Sequence, residues 1–456
     1  MGKRIVVVGG GPGGYAAALK AAQLGAQVSL CEYAQLGGTC LNIGCVPTKA
    51  LLHIGKFYRD ARRGVVPGVK IDGAKLDWAA AQEHKNAVTK QFSGGVSALL
   101  RHNGVTVYNE KGVVLSGKSV KIGSKALEAD AVILASGSVN AALNFPGADF
   151  SGVIDSTEAL SLERVPDSIV IVGGGVIGVE FASLYSSLGS QATIIELAPA
   201  ILPSVDENIA QYAHAALESG GVRIFTEAKL TGAVKAGKNL TITFEIGGKK
   251  QHITAEKLLI AAGRQANTKG FGLEDIGVKM THGAVDTDDF FRTNIPGLYA
   301  VGDCNGRSML AHAAMAQGES AAEHIMDAAS RINHKLIPAC MYSSPEISFV
   351  GLTEAQVKNA GIDYAVGRFN LDGNAKAAID GYGGMVKIIA DRKFGEILGV
   401  HMVGPSVTEI IAQAALCMSM EGTVEDIVST IHAHPTVSES LREAAMAVFG
   451  KALHSL

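Results

Sequence analysis

The chain has 456 residues and a net charge of only −3, so it is too long for one ordinary core and lacks the charge excess that recruits nucleic acid or an anionic membrane. Apolar residues make up 47% and charged residues 18%, so several cores can be buried and small-molecule chemistry is the favoured class of function. Six cysteines (Cys31, Cys40, Cys45, Cys304, Cys340 and Cys417) are too few and too scattered for a secreted disulfide framework, which points to a reducing, cytoplasmic compartment. No apolar run reaches the roughly eighteen residues that a bilayer span needs. The 55 glycines sit singly or in threes beside apolar runs, without a collagen period, as nucleotide-binding turns do.

In chain order, Ile5 to Val8 reads as a buried strand leading into Gly9-x-Gly11-x-x-Gly14, a helix from Tyr15 to Leu24, and a second strand from Gln27 to Leu30 that ends near Glu32. This is a dinucleotide fingerprint in its required context. The first glycine makes the tight turn, the second admits the pyrophosphate, the third lets helix pack on strand, and the helix N-terminus faces the phosphates. Glu32, 23 residues after Gly9, is placed to hydrogen-bond a ribose hydroxyl.

Gly37-Gly38-Thr39-Cys40-Leu41-Asn42-Ile43-Gly44-Cys45-Val46-Pro47-Thr48-Lys49 follows. On a straight helix, residues five apart point about 140° away from each other, so the thiols meet only across a distorted turn, which Gly37, Gly38 and Gly44 permit. The stretch reads as a redox-active dithiol/disulfide at a helix N-terminus, where a thiolate is favoured. The alternatives are a metal pair or two structural thiols; no second Cys pair or Cys/His cluster at ligand spacing supports a metal.

Leu51 to Leu100 reads as mostly helical around a turn region at Arg62 to Asp72, and Val105–Tyr108, Lys111–Leu115, Ser119–Ile122 and Ala131–Ala135 as strands, the last leading to Gly137. The dinucleotide pattern then returns: strand Ser168–Val172, turn Gly173-x-Gly175-x-x-Gly178, helix Val179–Leu188, and strand Gln191–Ile195 ending at Glu196, again 23 residues after the first glycine. Two copies mean two cofactors. An acid at 196 with no Arg in Leu197 to Leu202 favours NAD over NADP, whose 2′-phosphate it would repel. Lys257 to Ala262 leads to Gly263 as Ala131 to Ala135 leads to Gly137. Leu298 to Val301 is a strand that delivers Asp303, either a ligand-contacting carboxylate or the N-cap of the next helix. That helix, Met309 to His324, carries Gly318, which suggests close packing, and His312, which reads locally as a core histidine. Beyond Pro338, strands at Glu346–Gly351, Gly384–Ala390 and Glu396–Met402 and helices at Val407–Glu421, Val424–Ser429 and Thr436–Val448 form an α+β domain without a nucleotide signature.

The dithiol stretch, both glycine units, Val301-Gly302-Asp303 and His432-Ala433-His434-Pro435-Thr436-Val437-Ser438-Glu439 together resemble the flavin-dependent pyridine-nucleotide disulfide oxidoreductases over the whole length. The resemblance implies an α/β fold with two Rossmann-like dinucleotide-binding domains plus a C-terminal α+β dimerisation domain. It divides the chain into an FAD-binding domain (1–147), an NAD-binding domain (148–267), a central segment completing the FAD domain (268–337) and an interface domain (338–456). It further implies a homodimer whose active site is completed by the partner's histidine. The implied activity is oxidation of protein-bound dihydrolipoamide through Cys40–Cys45 and FAD to NAD. The lipoyl domains of 2-oxo acid dehydrogenase or glycine cleavage complexes would be partners, with no metal, nucleic acid or membrane. A reductase of another disulfide is the nearest rival, and a non-catalytic NAD-binding assembly subunit a remoter one.

Carried over by motif, Cys40 exchanges with substrate and Cys45 contacts the flavin, with Lys49 beside the ring and paired with Glu180, which borders the nicotinamide. Read without the resemblance, these last two are a surface lysine and an ordinary helix glutamate. Asp303 binds the ribityl chain, and His312 lies at the flavin through its backbone. His434 is the acid/base, oriented by Glu439; Thr436-x-x-Glu439 is also a capping-box pattern that needs no catalysis. Arg264-Gln265-Ala266-Asn267 departs from the family's usual double-Arg-Pro-Asn.

Overall fold

The structure, a computed structural model, describes residues 2–64 and 68–454 and falls into two compact units. The first comprises Met1–Ala50, Ala80–Ala141 and Gly263–His334. Its five parallel strands lie in the order Leu298–Ala300, Ala131–Leu134, Arg4–Val8, Gln27–Cys31, Thr106–Tyr108. After Arg4 the central strand is apolar and buried from Ile5 to Val8, because both faces are covered. Ile5 and Val7 pack with Ala17, Ala18, Ala321 and Ala322 of two helices, while Val6 and Val8 turn to Val114 and Val120 of a small antiparallel sheet. Each such fully buried Val or Ile side chain contributes roughly 1.5–3 kcal/mol.

The helices Pro12–Gln23 and Ala311–Ile325 meet backbone to backbone: a Cβ on Gly318 would lie 2.2 Å from the Gly13 carbonyl. The expected close packing at Gly318 is therefore present. Helices begin earlier than periodicity suggested, at Pro12 and Val176, because the glycine motifs themselves supply the first turn. The turn region Arg62–Asp72 falls partly on residues 65–67, outside the described residues; Cys45–Arg63 and Trp78–His102 are the flanking helices.

The second unit comprises Leu51–Ala79, Ala142–Ala262 and Lys335–Leu456. One sheet repeats the parallel pattern in the order Arg223–Phe225, Gln191–Ile195, Ser168–Val172, Lys257–Ile260, Val153–Ile154. A three-stranded antiparallel sheet, Ala228–Ala255, adjoins its core. The C-terminal sheet is antiparallel, in the order Ala339–Met341, Glu346–Gly351, Ile397–Gly404, Met385–Asp391, Tyr364–Asn370. Its edge strands, Ala339–Met341 and Tyr364–Asn370, were missed in sequence, where only the central runs alternate strongly. The helices Val407–Ser419, Val424–Ser429 and Glu439–Val448 complete its core. The last starts three residues later than expected, since 434–438 forms a turn. Among the described residues no helix is long and apolar enough to cross a membrane.

Candidate active site

The two glycine units are built alike. Gly9 and Gly173 take φ of 106° and 109°, and a Cβ on either would strike a backbone carbonyl of the neighbouring strand end, Ala135 at 2.2 Å or Ala261 at 2.4 Å. A Cβ on Gly14 or Gly178 would lie 1.9 Å from the carbonyl of Gly9 or Gly173. The middle glycines are different. A Cβ on Gly11 would meet only Gly38 Cα, at 3.8 Å, and one on Gly175 would meet nothing within 4 Å. Both are N-caps without a side-chain cap, so each helix keeps its first N–H groups for a ligand. Open backbone beside an uncapped helix N-terminus fits a pyrophosphate twice over.

Glu32 and Glu196 also match. Glu32 accepts the N–H groups of Gly10 and Ala34, both at 2.7 Å; Glu196 accepts those of Gly174 at 2.5 Å and Ala198 at 2.7 Å. Each carboxylate oxygen takes one N–H and keeps lone pairs for a ribose. The acids therefore brace the glycine loops as well, a role the sequence offset did not reveal.

The dithiol segment is fastened to the first glycine loop. Gly37, at φ 92°, donates its N–H to the Gly10 carbonyl at 2.8 Å, and a Cβ on Gly38 would fall 2.6 Å from Gly11 Cα. Cys40 sits in the short helix Gly38–Ile43 and Cys45 is the first residue of Cys45–Arg63; the anticipated distortion is the break at Gly44, where a Cβ would lie 2.8 Å from the Thr39 carbonyl. Pro47 falls in the first helical turn, where its missing N–H costs nothing. The two cysteines are thiols here, Cys40 half-buried and Cys45 exposed. Their side chains hydrogen-bond, and this contact, together with burial, raises the Cys40 pKa well above the usual thiol range, against a smaller opposing pull from Lys49. Cys45, as the first residue of its helix, sits where the helix N-terminus favours negative charge. Burial alone pushes most of the rise at Cys31, to about 12, and at Cys304, to about 11, so neither is a nucleophile.

Asp303 lies in a short 3-10 turn, Gly302–Asn305, while the N-cap of the following helix is Leu310, which removes the capping alternative. Its Oδ2 accepts the Ser138 hydroxyl proton at 2.5 Å. Ser138 follows Gly137, at φ 73°, and Arg264 follows Gly263, at φ 114°. The Arg264 guanidinium donates to the Ser138 hydroxyl and carbonyl. Sequence reasoning missed both Ser138 and Arg264; the only signal was Arg264 following a strand-end glycine. His312 is exposed in the first turn of Ala311–Ile325, not a core histidine.

In the second unit Glu180 is buried at 3% exposure and accepts the Tyr342 N–H at 2.9 Å. His434 Nδ1 lies 3.0 Å from Glu439 Oε1, while Glu439 Oε2 accepts the Thr436 N–H at 2.9 Å. The two anticipated roles of Glu439 thus use different oxygens. The capping box is only half formed, because the Thr436 hydroxyl bonds to Ala433 and Ser438 instead. Burial raises the Glu439 pKa, but the Thr436 N–H and His434 outweigh it and hold the carboxyl below its ordinary range. Nδ1 is engaged, and the His434 side chain is 72% exposed.

Duplicate dinucleotide cradles with a dithiol seated on the first define a class, and the comparisons agree. The model of the pyridine nucleotide-disulphide oxidoreductases matches residues 3–318 and that of their dimerisation domain residues 337–445; the chain belongs to this family and is an oxidoreductase. The family works with FAD and NAD, and the two cradles fit them. Among its relatives, a dihydrolipoyl dehydrogenase of Bacillus subtilis is 40% identical, covering 99% of this chain and 100% of its own. The mitochondrial dihydrolipoyl dehydrogenase of Pisum sativum is 36% identical over 99% of this chain and 92% of its own. The crystal structure of LpdA from Mycobacterium tuberculosis superposes with a TM-score of 0.89 at 27% identity, covering 97% of this chain and 99% of that one.

Proposed function

We propose that the chain oxidises protein-bound dihydrolipoamide to lipoamide, with Cys40 as the exchanging thiol and Cys45 as its flavin-side partner. The observation that carries this is the hydrogen-bonded Cys40–Cys45 pair at a helix start fastened to the first glycine loop. In the oxidised form Cys40 and Cys45 share an S–S bond. His434 takes the proton of one substrate thiol, and the resulting thiolate attacks Cys40 Sγ. The Cys40–Cys45 bond breaks, and Cys45 leaves as a thiolate that its helix N-terminus stabilises. The second substrate thiol then gives up its proton and attacks the substrate's own sulfur in the mixed disulfide; the bond to Cys40 breaks, Cys40 leaves and takes up that proton, and lipoamide is freed with the two electrons left on the cysteine pair. FAD, when bound, carries those electrons to NAD.

On this reading Gly9, Gly11, Gly14, Glu32, Lys49, Gly137, Asp303 and His312 serve FAD; Gly173, Gly175, Gly178, Glu180, Glu196 and Gly263 belong to the NAD side. The chain works as a cytoplasmic homodimer, with residues 338–456 as the interface domain, 1–147 and 268–337 as the FAD domain and 148–267 as the NAD domain. Two features support the dimer: the dimerisation-domain match, and a His434–Glu439 pair left open to solvent beside Ile431, which is 95% exposed. The partners are the lipoyl domains of 2-oxo acid dehydrogenase or glycine cleavage complexes.

The test is anaerobic titration of the purified flavoprotein with dihydrolipoamide. A long-wavelength thiolate-to-flavin band should appear, and Cys45→Ser should abolish it while flavin stays bound. Absence of the band in the wild type, with turnover of oxidised glutathione instead of lipoamide, would sink this reading.

A further inference from the structure

The strands Ser138–Asn140 and Arg264–Ala266 leave the two strand-end glycines and pair antiparallel, Arg264 opposite Asn140. Ala141 N–H bonds to the Gly263 carbonyl at 3.0 Å and Asn267 N–H to the Gly137 carbonyl at 2.9 Å, so the backbone under Arg264 is fixed from both ends. Its guanidinium grips Ser138 twice, Nε to the hydroxyl oxygen at 2.8 Å and Nη2 to the carbonyl at 2.7 Å, and gives Nη1 to Asn140 Oδ1 at 2.6 Å.

A hydroxyl has one proton. With Arg264 Nε–H on a lone pair of Ser138 Oγ, that proton is directed to Asp303 Oδ2. Ser138 is 8% exposed, so water is a poor substitute for either partner. Donation therefore runs one way, guanidinium to hydroxyl to carboxylate, and commits one oxygen of Asp303. The other oxygen takes no protein donor among the described residues and is the one left for a ligand hydroxyl. A lysine could not reproduce this, because a point donor cannot bridge a hydroxyl and its own residue's carbonyl as a planar fork does.

We propose that Arg264 is a positioning residue for FAD, acting through the Ser138 hydroxyl to orient the Asp303 carboxylate toward the ribityl chain. This rests on the assignment of Asp303 made under the proposed function.

The experiment is reconstitution of the apoprotein with FAD, with affinity read from quenching of flavin fluorescence. Ser138→Ala and Arg264→Met should each weaken binding by about tenfold, the size expected for one lost hydrogen bond to a charged group. The double variant should be no weaker than Ser138→Ala, since both act through one hydroxyl, and Ser138→Thr should restore affinity. Losses that multiply, or an Arg264→Met chain that melts earlier yet binds FAD as the wild type does, overturn the proposal. If Arg264→Met does not fold, the Ala and Thr variants at 138 decide: equal affinities overturn it, and Thr-only recovery supports it. A wild-type chain that takes up no FAD overturns the underlying assignment; normal uptake with unaltered variants overturns this inference alone.

Discussion

Lys387 on the strand Met385–Asp391 is 1% exposed, and its amine lies 2.7 Å from Asp206, 2.6 Å from Glu354 and 2.8 Å from the Asn208 side-chain oxygen. Asp206, 2% exposed, caps the helix Glu207–Ser219, which follows the second glycine unit in the chain, so the pair ties that region to the C-terminal sheet. Lys387→Met removes the buried cation of the cluster and strands a buried carboxylate, a change that costs about 3–5 kcal/mol. Asp206 keeps the Asn208 and Glu354 N–H groups, which puts the loss near the lower end. About 3 kcal/mol in a cooperative unit of this size lowers the melting temperature by roughly 6–12 °C.

Adding Asp206→Asn, which leaves a cap but no buried charge, should recover at least part of that loss. Burial, the largest single influence, raises both carboxyl pKa values, but the Lys387 amine together with the Glu354 N–H and His401 at Asp206, and with Tyr364 and Arg368 at Glu354, holds them below the ordinary range. A depressed carboxyl pKa stabilises above the unfolded value near 4 and loses that contribution as pH falls through the folded value. The gap between wild type and Lys387→Met in calorimetry should therefore be full at pH 7 and close below about pH 4. A gap under about 1 kcal/mol at pH 7, or one that widens in acid, refutes the reasoning.

Three further outcomes are expected. His434→Gln should cut dihydrolipoamide oxidation by about 10²–10⁴-fold in steady-state assays while flavin stays bound, the range for a lost general base, and Glu439→Gln should cut it less. Gly178→Ala places a Cβ 1.9 Å from the Gly173 carbonyl, so NAD binding by calorimetry should fall below detection, whereas Gly175→Ala, which meets no protein atom within 4 Å, should fold normally and lose affinity only through its contact with the cofactor. Glu196→Ala should narrow the preference for NADH over NADPH, yet also weaken NADH by about tenfold or more, because the Gly174 and Ala198 N–H groups lose their acceptor.

Much of this molecule is local and was legible in the chain. Both glycine units, their strands and the offset to Glu32 and Glu196 follow from backbone rules that act within some thirty residues, and Cys40, Gly44 and Cys45 announce a broken helix by spacing alone. Edge strands such as Tyr364–Asn370 and the late start of the last helix were less legible, because they depend on what packs beside them. What tertiary structure alone decided is which polar groups meet across long stretches of chain. Lys387 finds Asp206 across 181 residues, and Asp303 accepts the hydrogen bond of the Ser138 hydroxyl across 165. A lysine, a serine and an arginine have many possible partners in sequence. Burial selects among them, since a polar group removed from water must be paired where the packed chain leaves it.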